Sequence, residues 1–78
     1  MNRQKIENLD LLISENLRNE ILMSGKSKTE IAKAIGVSKP TVSQYLSGRI
    51  QPSLSTLSKL CAFLDVSADD ILGIDKVL

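Results

Sequence analysis

A chain of 78 residues has room for one domain, and one this short buries only about 60–65% of the surface its unfolded form exposes, so its stability is modest. It has no histidine and a single cysteine, Cys61, which excludes an internal disulfide, a histidine-ligated zinc site and histidine-based catalysis. The net charge of +1 hides a division: residues 24–51 carry five basic side chains (Lys26, Lys28, Lys33, Lys39, Arg49) against one acidic (Glu30), whereas the stretches on either side are net acidic, as expected where one face meets a polyanion.

The first segment runs from about Arg3 to Ser24 without glycine or proline. Ile6, Leu9, Ile13, Leu17 and Ile21 recur at steps of three and four, which makes one apolar helical stripe. Leu11, Leu12, Leu22 and Met23 fall off that stripe, so the helix is apolar on more than one side. Gly25 stops it. Ser14 is a second candidate cap, which would split the segment into two helices near residue 14.

The second segment opens with Ser27-Lys28-Thr29-Glu30, a capping box. Ile31, Ala34 and Ile35 supply its apolar side and Gly36 ends it after about two turns. The third starts at Ser38, with Pro40 in the first turn, where a missing N–H costs nothing. Val42, Tyr45 and Leu46 share one side, Lys39, Thr41, Ser43, Gln44 and Ser47 lie on the others, and Gly48 stops it. In the fourth, Ser53 is the cap after Pro52, Leu54, Leu57, Leu60, Cys61 and Leu64 form the buried stripe, and Asp65 ends it. The fifth is short, from the Ser67 cap to Leu72, with Gly73 as the stop and Val66, Ile71 and Ile74 closing the core. With two aromatics, Tyr45 and Phe63, aliphatic side chains must fill that core. Nothing alternates with period two, so no strand is expected.

Residues 27–46 hold two short capped helices joined at Gly36-Val37-Ser38. Helices that short are unstable alone and need a fixed angle and a supporting core. Gly36 suits the turn because it takes positive φ without strain. Ala32 lets the helices approach, and Val37 and Val42 fill the wedge between them.

These residues resemble the helix-turn-helix family of phage repressors and Cro proteins, the xenobiotic-response-element type. The resemblance rests on Thr29-Glu30-Ile31-Ala32-Lys33-Ala34-Ile35-Gly36-Val37-Ser38, Thr41-Val42-Ser43-Gln44-Tyr45-Leu46-Ser47-Gly48-Arg49, Pro52-Ser53-Leu54, Leu57 and Leu60-Cys61, with a tail at Leu64, Val66-Ser67 and Leu72. It covers about residues 14–74. It implies an all-α, compact five-helix bundle of the lambda-repressor-like kind, which binds the major groove of double-stranded DNA and regulates transcription as a dimer on a palindromic operator. Lys28 stands where the family often has glutamine, Cys61 replaces a usual alanine, and residues 1–13 have no counterpart. The expected organisation is therefore an N-terminal helical extension over 1–13, the DNA-binding domain over 14–74 and a tail over 75–78.

In such motifs the N-terminal residues of the second helix meet base edges. The resemblance maps that role onto Lys39, Pro40 and Gln44, with Ser38, Thr41 and Ser43 beside them. Gln44 can pair bidentately with adenine and Lys39 can reach guanine O6 and N7, while Pro40 offers apolar contact to a thymine methyl. Ser27, Lys28 and Thr29, at the start of the first helix of the motif, are placed to bind a phosphate, and Ser47 and Arg49 flank the other strand. Tyr45 falls on the inward side and is expected in the core with its hydroxyl at the rim.

A monomer this small offers too few base contacts for tight, specific binding, so a homodimer is expected. Two surfaces compete for the interface: the C-terminal end with Ile71, Ile74, Val77 and Leu78, which is slightly preferred, and the N-terminal extension with Ile6, Leu9, Leu12 and Ile13. The main functional reading is a transcriptional regulator, a repressor by occupancy. The alternative is the antitoxin of a toxin–antitoxin pair, whose extension would hold a protein partner, and a third reading is a module for protein interaction alone. No acid–base pair, nucleophile–base set or phosphate-binding glycine loop points to an enzyme, and no cofactor or metal is called for. With no signal-peptide run and no stretch near the ~20 apolar residues of a membrane span, the expected location is cytoplasmic.

Overall fold

The computed structural model describes residues 9–74. Within them the chain forms five helices and no strand: α1 (Leu9–Ser24), α2 (Lys28–Ile35), α3 (Lys39–Ser47), α4 (Leu54–Leu64) and α5 (Ala68–Leu72). α1 is continuous through Ser14, so there is no break at that residue. Residues 1–8 and 75–78, and with them most of the expected extension and all of the expected tail, lie outside the described residues.

Serine caps set four of the helix starts. Ser27, Ser38, Ser53 and Ser67 each have extended backbone, and their hydroxyls accept the N–H of Glu30, Thr41, Thr56 and Asp69 respectively, satisfying donors that a helix start leaves unpaired. The ends are equally regular. The N–H groups of Val37, Arg49, Val66 and Ile74 reach back to Ala32, Gln44, Cys61 and Asp69 carbonyls at 3.0 Å, the bond that closes a helix around a left-handed residue. That residue is glycine at 36, 48 and 73, but Asp65 at the end of α4, with φ of +57°, a conformation aspartate tolerates better than bulky residues.

Every helix contributes to one core: Leu17 and Ile21 from α1, Ile31, Ala32 and Ile35 from α2, Val42 and Tyr45 from α3, Leu57, Leu60 and Leu64 from α4, and Ile71 from α5. α1 packs on α3 and α5, and α2 on α3 and α4. Asn16 ties α1 to the end of α5 by donating from Nδ2 to the Ile71 carbonyl at 3.1 Å. Lys26 Nζ stands 4.9 Å from the centre of the Phe63 ring and so links the α1–α2 turn to α4 by a cation–π contact.

Three expectations from periodicity fail. Leu54 is 83% exposed rather than buried, because it stands at the first position of α4, beyond the part of the helix that α2 covers. Ile74 is 51% exposed, since the chain has already left α5 at Gly73. Ala34 is exposed, while Ala32, at the helix crossing, is buried.

Candidate nucleic-acid interface

The site is built on the starts of α2 and α3 and on the end of α3. At α2 the capping box is complete: Ser27 Oγ accepts the Glu30 N–H at 3.0 Å, and Glu30 Oε1 accepts the Ser27 N–H at 2.8 Å. The Ser27 backbone N–H, then its hydroxyl, hold the Glu30 carboxyl below its ordinary range, with a smaller contribution from the Lys26 charge. The box occupies the amides of Ser27 and Glu30. Between them stand the amides of Lys28 and Thr29, in the first turn, where a helix has no partner of its own to offer. Ser27, Lys28 and Thr29 are all exposed, so they share one solvent-facing helix start with two unshared amides and one cation.

The turn after α2 holds Gly36 at φ of +74°, and both Gly36 and Val37 donate to the Ala32 carbonyl. Ser38 then starts α3. Its Oγ accepts the Thr41 N–H at 3.2 Å and lies 2.9 Å from the Thr41 hydroxyl. Buried Val42 and Tyr45 fix the opposite side of the helix against the core. The six expected base-reading residues therefore fall into two groups. Lys39, Pro40 and Gln44 are exposed with no role in the fold of α3, apart from the proline's fit to the first turn; Ser38, Thr41 and Ser43 are the cap and its half-buried flank. Tyr45 is 5% exposed and points inward, and burial raises the pKa of its phenol.

At the end of α3, the Ser47 hydroxyl donates to the Gln44 carbonyl at 3.1 Å and accepts the Arg49 N–H at 3.3 Å. Ser47 thus helps to close the helix while remaining exposed. Arg49, the next residue after Gly48, is exposed and its amide bonds to Gln44 and Ser47 fix where its side chain leaves the backbone.

Sequence reasoning missed two residues that position this loop. Ser14, read as a candidate cap, is 9% exposed and touches Gly48. Gln51 donates from Nε2 to the Asp10 carbonyl at 3.0 Å, clamping the loop after α3 to α1. A groove of about 660 Å3 runs between them, with Leu11, Ser14, Glu15 and Arg18 of α1 on one wall and Leu46, Arg49 and Ile50 on the other. The one available signal was that Ser14 is a small residue directly after the apolar run Leu11-Leu12-Ile13.

The profile of a helix-turn-helix family matches residues 17–71, from the middle of α1 to α5. The chain belongs to this helix-turn-helix family. It is similar to the cryptic phage CTXphi transcriptional repressor RstR of Vibrio cholerae serotype O1, with 31% identity over 61 residues, 78% of this chain and 54% of that repressor. The chain thus spans about half the length of this curated relative. Among solved structures, it is similar to the SOS-response transcriptional repressor LexA from Eubacterium rectale, at a TM-score of 0.77 and 30% identity, over 91% of this chain and 76% of the other. The family read from Thr29–Arg49 and the all-helical fold expected from it are both borne out. In this helix-turn-helix domain, α2 and α3 are the two helices of the motif.

Proposed function

We propose that this chain binds double-stranded DNA by laying α3 in the major groove, and that it regulates transcription as a repressor acting by occupancy. The observation that carries this reading is the exposed side of α3. Lys39 and Pro40 in its first turn and Gln44 in its second are exposed, while Val42 and Tyr45 anchor the same helix in the core. A rigid helix with free side chains at its N-terminus and along one side is the arrangement that reads base edges. Gln44 is suited to adenine and Lys39 to guanine. Lys28, Thr29 and the hydroxyl of Ser27 take one phosphate, and Ser47 and Arg49 take another across the groove. The protein acts by binding rather than catalysis, in the cytoplasm, and as a homodimer on a palindromic operator. Its domain spans 14–74, with the extension over 1–13 left to a further protein contact. Both relatives carry repressor names, which favours this reading over the antitoxin alternative.

Selection of bound sequences from a random duplex pool tests it. The expected outcome is an inverted repeat with half-sites about 10–10.5 base pairs apart, or a multiple of that. Affinity should fall with salt, with a slope of about 0.9 for each phosphate neutralised. No enriched motif together with a flat salt response would reduce the motif to a protein-interaction module.

A further inference from the structure

α1 carries a stripe that none of the described residues covers. Leu11, Glu15, Arg18 and Leu22 recur at steps of four, three and four residues, the spacing of a two-helix seam. All four are exposed, Leu11 by 61% and Leu22 by 60%. The two leucines stand about 16 Å apart along the helix axis, at 1.5 Å per residue, and they bracket one acid and one base.

Read in order, the stripe is apolar, acidic, basic, apolar, and it is its own complement when reversed. Its midpoint falls between Asn16 and Leu17. Two copies crossing antiparallel about a two-fold axis at that point set each Leu11 against Leu22 of the other copy and each Glu15 against the other's Arg18. A parallel pairing would set Glu15 on Glu15 and Arg18 on Arg18, so the charges select the antiparallel orientation. Such a contact is isologous, the same patch on both copies, which is the kind that closes a dimer.

We propose that a second copy of this chain docks on this stripe, α1 against α1 in antiparallel orientation. The proposal rests on the reading of the chain as a DNA-binding dimer and names the surface that pairs. Three of the four, Leu11, Glu15 and Arg18, line the groove that Leu46 and Ile50 close on the other side, so the docked helix also meets Ile50, itself 39% exposed. Because Arg49 lines the same groove, this dimer fixes the distance between the two phosphate-binding loops and hence the half-site spacing. A second exposed apolar group, Leu9 and Leu12 of α1 with Ile74 after α5, has no matched charge pair among the described residues to set its register.

Charge exchange tests the proposal by sedimentation equilibrium of the full chain, with circular dichroism to verify folding. Glu15→Arg and Arg18→Glu each set like charges against each other at both symmetric contacts, and each should weaken the dimer by at least about tenfold at low salt. An equimolar mixture of the two variants should recover the mass of the wild-type dimer, because every contact is then opposite in sign. So should the double variant Glu15→Arg/Arg18→Glu. The proposal is overturned if the single variants keep the wild-type mass, if mixing restores nothing, if Ile74→Asp dissociates the dimer while the charge variants do not, or if the wild type is a monomer throughout. Salt-dependent duplex binding by the wild type is measured alongside. A monomer that still binds duplex DNA sinks this docking and leaves the DNA-binding reading standing, whereas a dimer of the expected charge pattern that binds no duplex does the reverse.

Discussion

Gly48 rests on Ser14: a Cβ built on the glycine would lie 3.4 Å from Ser14 Cβ and 3.5 Å from its Oγ. The end of α3 therefore approaches α1 through a glycine and a serine, and the backbone that carries Arg49 takes its position from that approach. Ser14→Leu should force the helices apart and cost about 1–3 kcal/mol, the usual cost of overpacking. Ser14→Ala, which removes only the hydroxyl and adds no bulk, should stay within about 1 kcal/mol. Denaturant midpoints at constant slope distinguish the two.

Leu60 has no exposed surface, whereas Leu54, six residues earlier on the same helix, is 83% exposed. Leu60→Ala should cost about 2–5 kcal/mol, the transfer of the lost atoms plus the cavity they leave. Leu54→Ala should stay within about 0.5 kcal/mol. In a domain this small each kcal/mol shifts the unfolding temperature by about 4–8 °C, so thermal melts of the two variants should be far apart. Equal losses would mean that Leu54 is covered in solution.

Glu30 links stability to pH. Its carboxyl accepts the Ser27 N–H, which depresses its folded pKa below the ordinary 4.5. A depressed carboxyl contributes stability that is fully present above its unfolded pKa and is lost as pH falls through the folded one. Wild type and Glu30→Gln, which keeps an acceptor but no charge, should therefore differ most near neutral pH and converge as the pH falls below 4.5 and through the folded pKa. Denaturant titrations at a series of pH values measure this, and a gap that widened in acid would contradict the sign.

The frame of this fold was legible because its signals are local. A serine cap or a glycine stop acts within one turn of its own position, and those at Ser27, Ser38, Ser53, Ser67, Gly36, Gly48 and Gly73 all appear where the sequence places them. The misreadings are all tertiary. Ser14 looks like a cap in sequence, and only the approach of Gly48, 34 positions away, explains why a small residue sits there. Leu54 keeps the period of its stripe but reaches past the helix that would cover it. Gln51 carries no pattern, because its bond runs to the backbone of Asp10 and not to a side chain. For the site, the motif located the exposed face of α3. The structure added that Ser38, Thr41 and Ser47 have hydroxyls engaged within the helix itself, whereas the side chains of Lys39, Pro40 and Gln44 stand exposed.

Two exposed residues of α3 and its following loop supply the most direct test of the proposed interface. Gln44 and Arg49 are both exposed, but the roles proposed for them differ in what sequence information they carry. A bidentate base contact is worth about 1–3 kcal/mol of discrimination at one base pair, so Gln44→Ala should relax selection at a single position of each half-site and leave the salt slope unchanged. A phosphate contact is blind to sequence. Arg49→Ala should weaken all duplexes alike and lower the slope of log affinity against log salt by about 0.9 for each protomer. Neither change touches the core, so both variants should melt with the wild type. Binding isotherms on the selected site and on a scrambled duplex, at three or more salt concentrations, separate the two effects. A motif left intact by Gln44→Ala would move the reading register along α3, with Lys39 and Pro40 next in line.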